Sequence, residues 1–426
     1  MTLWYAHGSA TTVIADSELP DILSQVFARL GRRERVLVVP PDYTRLHSRA
    51  GPITRAILGH FGNALHDILP ALGTHHPMSD AQISHMYAGI PQHLFRNHRW
   101  REDVVTIGEV PATFVGAVTE GIWQKAWPVQ MNRLVWDGGH DLIVSVGQVV
   151  PHEVMGMANY NKNIFVGTGG KEGINESHFI GAAYGMERMM GKANTPLRQI
   201  LNEGERLYCQ NLPLLYVLTV VGTDEHGALV TRGLYIGDDP ECFERAAALS
   251  AEVNFTVLPA PLHKVVVALP ADEFHSTWLG NKAIYRTRMA IADGGELIVL
   301  APGVKSFGED ATIDQLIRKY GYTTTPEVMR AVDQNADLKE NLSAAAHLIH
   351  GSSENRFTVT YCPGGLSRTE IESVGYRYAA LDEMISRYRV NDLEEGWNTV
   401  HGEAIYYISN PALGLWSSAT RMADLD

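Results

Sequence analysis

Between residues 151 and 178 the chain sets His152, Lys162 and His178 around a glycine-rich turn, Gly167-Thr168-Gly169-Gly170-Lys171. Near neutral pH an imidazole can accept a proton, donate one, or ligate a transition metal as the neutral ring. A glycine turn that opens a helix can receive a phosphate on its backbone N–H groups. Two further clusters precede this stretch, Asp42-Tyr43-Thr44-Arg45 and Gly73-Thr74-His75-His76. Each follows an apolar run and lands where ligands bind in open α/β sheets, beyond the carboxyl ends of strands.

Three strand ends therefore converge in the expected fold: 42–45, 73–76 and 151–156. If these strands are neighbours, His75 and His152 can address one bound substrate from opposite sides. Two acid/base groups on opposite faces of one carbon are what a racemase requires. Arg45 suits two-pronged capture of a carboxylate. His178, at a helix start, can serve as a metal ligand. Neighbouring residues of an extended segment point to opposite faces, so only one of His75 and His76 should enter the crevice. Most of the 18 histidines sit in contexts that give no reason to assign them a ligand role.

The elements that must position these groups are read from periodicity. Val36-Leu37-Val38-Val39 and Asp141 to Gly147 read as buried strands, and Leu19, Ile22, Leu23, Val26, Phe27 and Leu30 repeat at helical spacing up to Gly31. The short apolar run Ile164-Phe165-Val166 predicts a strand, residues 215–237 a hairpin, and 98–140 irregular β structure. Beyond Leu258-Pro259-Ala260-Pro261-Leu262 strands and helices alternate, with a helix expected over 276–292. The class is α/β, with an N-terminal α/β cofactor-binding catalytic domain over 1–260. A smaller, mostly parallel α/β domain covers 261–426 and closes over the substrate, its last segment packing back on the first domain.

Composition bounds the function. A formal net charge of −13 repels phosphate backbones, so no nucleic-acid partner is expected. Cys209, Cys242 and Cys362 are sparse and form no CxxC, which fits a reducing, cytoplasmic setting. No run approaches the ~20 apolar residues that span a bilayer, so no membrane partner is expected.

Taken in order, Asp42-x-Thr44-Arg45, Gly73-Thr74-His75, Asn97-His98, Val129-x-x-Asn132-Arg133 and the His152, Lys162, His178 series resemble the nickel-dependent lactate racemase family. Lys162 stands ten positions after His152, and His178 sixteen positions after Lys162, as in that family. The segment Asp272 to Gly308, with Lys282, resembles its second domain. The resemblance implies a nickel-pincer nucleotide, a pyridinium-3,5-bisthiocarboxylic acid mononucleotide that holds nickel through two sulfurs and a ring carbon. It implies His178 as the protein ligand to nickel and Lys162 as a covalent tether. His75 and His152 would be the paired acid/bases, and Arg45 and Lys282 the substrate-carboxylate residues. Asp42, Thr44, Gly169, Gly170 and Lys171 would contact the cofactor. The implied reaction is racemisation or 2-epimerisation of a 2-hydroxy acid by reversible hydride transfer, in a protein that depends on cofactor-making enzymes.

The chain departs from the family pattern at three places. Asn159-Tyr160-Asn161 stand where a glycine pair precedes the lysine, Leu279 replaces a glutamine, and His76 replaces an arginine. The latter two touch substrate handling, so a larger acid such as an aldonate is expected rather than lactate. Two other readings are open at this stage. One is a zinc hydrolase built on His75, His76 and His152. The other is a cofactor-binding relative without turnover.

Overall fold

The computed structural model describes residues 2–225 and 227–423; His226 lies outside the described residues. Its contacts form two compact units, Met1–Ser177 with Met190–Asn254, and His178–Met189 with Phe255–Asp426. The sequence reading drew its boundary at 260.

The first unit is built on a six-stranded sheet: β1 (Leu3–Gly8), β2 (Val36–Val39), β3 (Leu65–Ile68), β4 (Leu142–Gln148), β5 (Leu214–Thr223) and β6 (Leu229–Gly237). Their order is β1-β6-β5-β4-β2-β3. The four strands β5, β4, β2 and β3 run parallel, while β6 and β1 join antiparallel. All four residues of β2 are buried, the mark of a central strand covered on both faces. The chain leaves β2 toward β3 on one side and returns to β4 on the other. The carboxyl ends of β2 and β4 therefore flank the switch point of the sheet, where a crevice opens.

Helix Leu19–Leu30 buries Leu19, Leu23, Val26 and Phe27, and Gly31 ends it at φ 77. That conformation suits glycine, which has no Cβ to clash. Together with β2, β4, β5 and the helix Ala50–Phe61 this stripe makes one apolar core. The hairpin expected over 215–237 is β5 and β6. Residues 98–140, expected as irregular β structure, hold an antiparallel pair, Val104–Val110 with Trp127–Asn132, and a helix, Ala112–Val118.

Ile164 to Val166 are not a strand. Asn163–Gly167 wind as a wide π-helical turn, all five residues buried. Hydrogen bonds hold the turn locally: Thr168 N–H donates to Asn163 O at 2.9 Å and Thr168 Oγ1 to Ile164 O at 2.7 Å. A short apolar run with no partner strand is equally good as a buried helical turn.

The second unit carries a six-stranded sheet: β7 (Leu262–Ala268), β8 (Ile291–Ala301), β9 (Thr358–Pro363), β10 (Arg377–Tyr378), β11 (Gly396–Val400) and β12 (Glu403–Ile408). The order is β10-β9-β8-β7-β12-β11, parallel except for the β11–β12 pair. Phe255–Leu258 pairs with Leu415–Ser418 within this unit. The helix expected over 276–292 breaks into Thr277–Gly280 and Lys282–Tyr285. Ser276 caps the first piece, and Thr277 Oγ1 turns aside to bond Phe307 O at 3.0 Å and Tyr322 Oη at 2.7 Å. Those tertiary bonds outweigh the weak preference for one continuous helix.

Candidate active site

Asp42 follows β2, His75 follows β3 and His152 follows β4, so the three reach the same edge of one parallel sheet. The structure joins two of them directly. His75 Nδ1 lies 2.6 Å from Asp42 Oδ2. Thr44 Oγ1 donates to Asp42 Oδ1 at 2.6 Å, and Arg45 Nη1 donates to Thr44 O and Oγ1 at 3.2 and 3.1 Å. Burial works against ionisation of Asp42, yet the His75 ring with its hydrogen bond, Arg45 and Thr44 hold the carboxyl down at about 2. It is therefore a carboxylate and can only accept. His75 must carry its proton on Nδ1, which leaves the Nε2 lone pair of the neutral ring as a base.

His152 is set the other way. Its ring is buried, and Val154 N–H donates to Nδ1 at 3.0 Å. A backbone N–H is always the donor, so Nδ1 is bare and the neutral ring carries its proton on Nε2. His152 is held in a two-residue antiparallel bridge, Pro151–His152 against Gly156–Met157. His76 is exposed whereas His75 is half-buried.

Lys162 sits immediately ahead of the π-helical turn. Burial pulls its ammonium down to about 8; Arg45 and Arg198 add to this, and Glu153 and Asp42 oppose it. The same charges thus place Lys162, Arg45, Asp42 and Glu153 in one electrostatic neighbourhood. The backbone links these segments too, since Gly73 N–H donates to Gly167 O at 2.8 Å. Gly73 has φ 56, a conformation that favours glycine.

The glycine turn is packed tightly against the hairpin strand Trp127–Asn132. A Cβ on Gly170 would stand 2.5 Å from Gln130 Oε1, the atom that accepts the Gly173 N–H at 3.1 Å. Gly169 O accepts from His98 Nε2 at 3.0 Å, and Asn132 Nδ2 donates to His98 Nδ1 at 3.0 Å. Burial drives His98 down to about 4 against the pull of the Gly169 carbonyl, so this ring is a neutral strut. Lys171 is exposed and begins the helix Lys171–Met189.

His178 and Lys282 belong to the second unit. His178 is half-buried on the helix Lys171–Met189. Further along it, Glu187 accepts from Arg288 at 3.0 Å and pairs with Arg356 at 3.3 Å. Lys282 is buried, its Nζ 5.4 Å from the ring centre of Phe274. Leu279 is half-buried on the helix turn just before it. Among the described residues no group of three or more His, Cys, Asp or Glu side chains is arranged to hold a metal ion, so the zinc-hydrolase reading lacks its ligand set.

Sequence reasoning missed Arg198 and the residues around it. Arg198 lies on the buried face of helix Pro196–Tyr208, beside Leu197 and Leu201. An arginine amid an apolar helical stripe was the available signal, because such a cation is rarely buried without partners.

Comparison with known proteins places these observations. No curated protein matches the chain. The fold resembles that of a solved protein from Thermotoga maritima, with 23% identity and a TM-score of 0.81 over 95% of this chain and 98% of that one. It also resembles the lactate racemase apoprotein from Thermoanaerobacterium thermosaccharolyticum, with 16% identity and a TM-score of 0.65 over 90% of this chain and 87% of that one. Among the described residues no helix is long and apolar enough to cross a membrane. The model of the lactate racemase N-terminal domain matches residues 20–189, the span that holds Asp42, His75, His152, Lys162 and His178.

Proposed function

We propose that the protein is an isomerase that racemises or epimerises a 2-hydroxy acid at its α-carbon with a nickel-pincer nucleotide. The observation that carries this reading is a pair of imidazoles, His75 and His152, beyond the carboxyl ends of the two parallel strands β3 and β4 that flank β2, within the span matched by the lactate racemase N-terminal domain.

The chain's own residues fit that nucleotide. The group brings most of the atoms that hold its metal, so it asks the protein for one imidazole rather than a cluster. His178 can supply it. A covalent link asks for an amine with a reactive neutral fraction near neutral pH, and Lys162, held at about 8, offers a much larger one than an ordinary lysine. Gly169 and Gly170, with Asp42 and Thr44, would line the nucleotide. When bound, the nucleotide supplies an acceptor for the α-hydrogen of the substrate, whose C–H is too weak an acid for a histidine to remove.

The protein's part is then proton transfer at oxygen. His75 Nε2, its proton-free nitrogen, takes the hydroxyl proton of one enantiomer. Asp42 keeps the ring in that tautomer and stabilises the imidazolium that forms. His152 serves as the acid in its imidazolium form, with Nδ1 released from the Val154 N–H: it gives its Nε2 proton to the alkoxide of the product and is left as the neutral ring. The opposite enantiomer is processed once the two rings have exchanged roles. Arg45 captures the carboxylate with two parallel N–H bonds. Lys282 is assigned to the same charge. The replacements at Leu279 and His76 support an acid larger than lactate, such as an aldonate.

The experiment is elemental analysis and intact mass of protein produced together with cofactor-making enzymes. About one nickel per chain and an added mass on the Lys162 peptide are expected, with nickel lost in His178→Ala. Protein without nickel and without bound nucleotide would refute the reading.

A further inference from the structure

The backbone ahead of Lys162 is unusual. Asn159 and Tyr160 are consecutive residues in the left-handed region, at φ 67 and 59. Asparagine tolerates that conformation, but a tyrosine there costs roughly 1–2 kcal/mol from its Cβ. Such a conformation persists only when its surroundings over-determine it, and it marks segments with a task.

The surroundings come from three separate elements of the first unit. Arg198, on helix Pro196–Tyr208, donates Nη2 to Met157 O at 2.8 Å and to Asn159 O at 3.2 Å, and Nη1 to Asn161 Oδ1. One guanidinium thus ties down three of the five residues before Lys162. Asn161 is fully buried and passes its amide protons to Asn202 and Glu205, each at 2.8 Å. Tyr216 Oη, on β5, donates to the other Glu205 oxygen at 2.9 Å. The Tyr160 ring lies between Tyr216, at 4.2 Å, and Phe243 of helix Pro240–Asn254, stacked at 5.2 Å. The Arg198 guanidinium covers the same Phe243 ring at 4.2 Å.

A loop that only had to turn would use glycine and need none of this. We propose that Arg198 and Tyr160 form a clamp whose task is to position Lys162. Arg198 fixes the direction of the chain, Tyr160 locks the left-handed turn, and the lysine amine is held in its desolvated place near Arg45. Neither residue touches substrate; both act through Lys162. The lowered charge state of Lys162 agrees with this, since Arg198 is among its causes. The inference rests on the reading of Lys162 as the anchoring amine, and its test is chosen to be independent of cofactor.

The test uses the full apoprotein. The rate of Lys162 acetylation by acetic anhydride is measured from pH 6 to 11 by peptide mass spectrometry, with exposed Lys171 as internal reference. Arg198→Met and Tyr160→Val, whose β-branched side chain cannot adopt the turn, are each expected to lose at least about ten-fold of the Lys162 rate at pH 7 while Lys171 is unchanged. Tyr160→Gly, which adopts the turn but lacks the ring that locks it, should lose part of the Lys162 rate, less than Tyr160→Val does. Arg198→Lys keeps the charge but not the fork, and covers the case in which Arg198→Met does not fold. It should show a partial loss. Wild-type profiles in Arg198→Lys and Tyr160→Val would overturn the clamp. Failure of anchoring reads differently: the labelling results stand, and co-produced protein carries no adduct on Lys162.

Discussion

Replacing Asp42 by asparagine keeps the shape of the Asp42–His75 pair and removes its charge. The wild-type carboxyl is held at about 2 rather than near the ordinary value of 3.8. Holding the carboxyl down that far is worth about 2–3 kcal/mol of stabilisation. The unfolded chain binds the extra proton between pH ~4 and ~2, so stability rises with pH across that window. The contribution is full above pH ~4 and is lost as pH falls through ~2. Asparagine still accepts from His75 Nδ1–H, so part survives. The expected cost of Asp42→Asn at pH 7 is about 2 kcal/mol, narrowing below pH 4. Arg45 and Thr44 also contribute, so the share owed to His75 is isolated by a cycle of Asp42→Asn, His75→Gln and the double variant. Urea unfolding of the four apoproteins at pH 7.0, 5.0 and 3.5 is the assay. A coupling of at least about 1 kcal/mol is expected at all three pH values, since the Asp42 carboxylate stays ionised in the folded state down to about 2. A coupling below ~0.3 kcal/mol would refute the carboxylate–imidazole pair and with it the tautomer assigned to His75.

Lys162→Met should stabilise the apoprotein. Burial holds the ammonium at about 8, so the folded state gives up its proton before the unfolded chain does, and stability rises with pH between ~8 and ~10.5. Below pH 8 the wild type carries a cost of up to about 3 kcal/mol, reduced by the residual exposure of Lys162. Thermal unfolding at pH 7 and pH 10 should show a gain in Tm that shrinks at the higher pH. His98→Gln should flatten the acid sensitivity of the fold. His98, neutral down to about 4, makes the wild type lose about 3 kcal/mol as pH falls from 6.5 to 4; an unchanged pH-stability slope would contradict that role. Gly170→Ala should lower stability by about 1–3 kcal/mol, because its Cβ would drive into Gln130. A neutral effect in denaturant titration would contradict the packing described for the turn.

Much of the first unit was legible because polar residues placed just after buried strands obey a general rule of open parallel sheets. Asp42, His75 and His152 were found that way, and the strand order sets them on one sheet edge. The Asp42–His75 bond itself was not legible: it joins residues 33 apart, and Asp42 was read as a cofactor contact alone. The turn at 163–167 was misread because three apolar residues carry no period that separates a strand from a buried turn. The helix over 276–292 was misread because Thr277 and Asn281 look helical in isolation and break the helix through Phe307, Tyr322 and His347. The sequence marks Arg198 only as a cation in an apolar helical stripe; what it binds was not legible, because its partners lie 37 to 41 positions away. The left-handed Tyr160 runs against its own residue preference, and only the packing of Tyr216 and Phe243 explains it.

The central claim is that the α-hydrogen leaves and returns as a hydride while His75 and His152 move only the hydroxyl proton. It is tested most directly with nickel-loaded protein and a panel of 2-hydroxy and sugar acids deuterated at the α-carbon, incubated in ordinary water. The account predicts that for at least one acid the opposite epimer accumulates with its α-deuterium retained, and that His75→Ala and His152→Ala each abolish it. An epimer that has exchanged its deuterium for solvent hydrogen, or no epimer from any acid by the loaded protein, would contradict it.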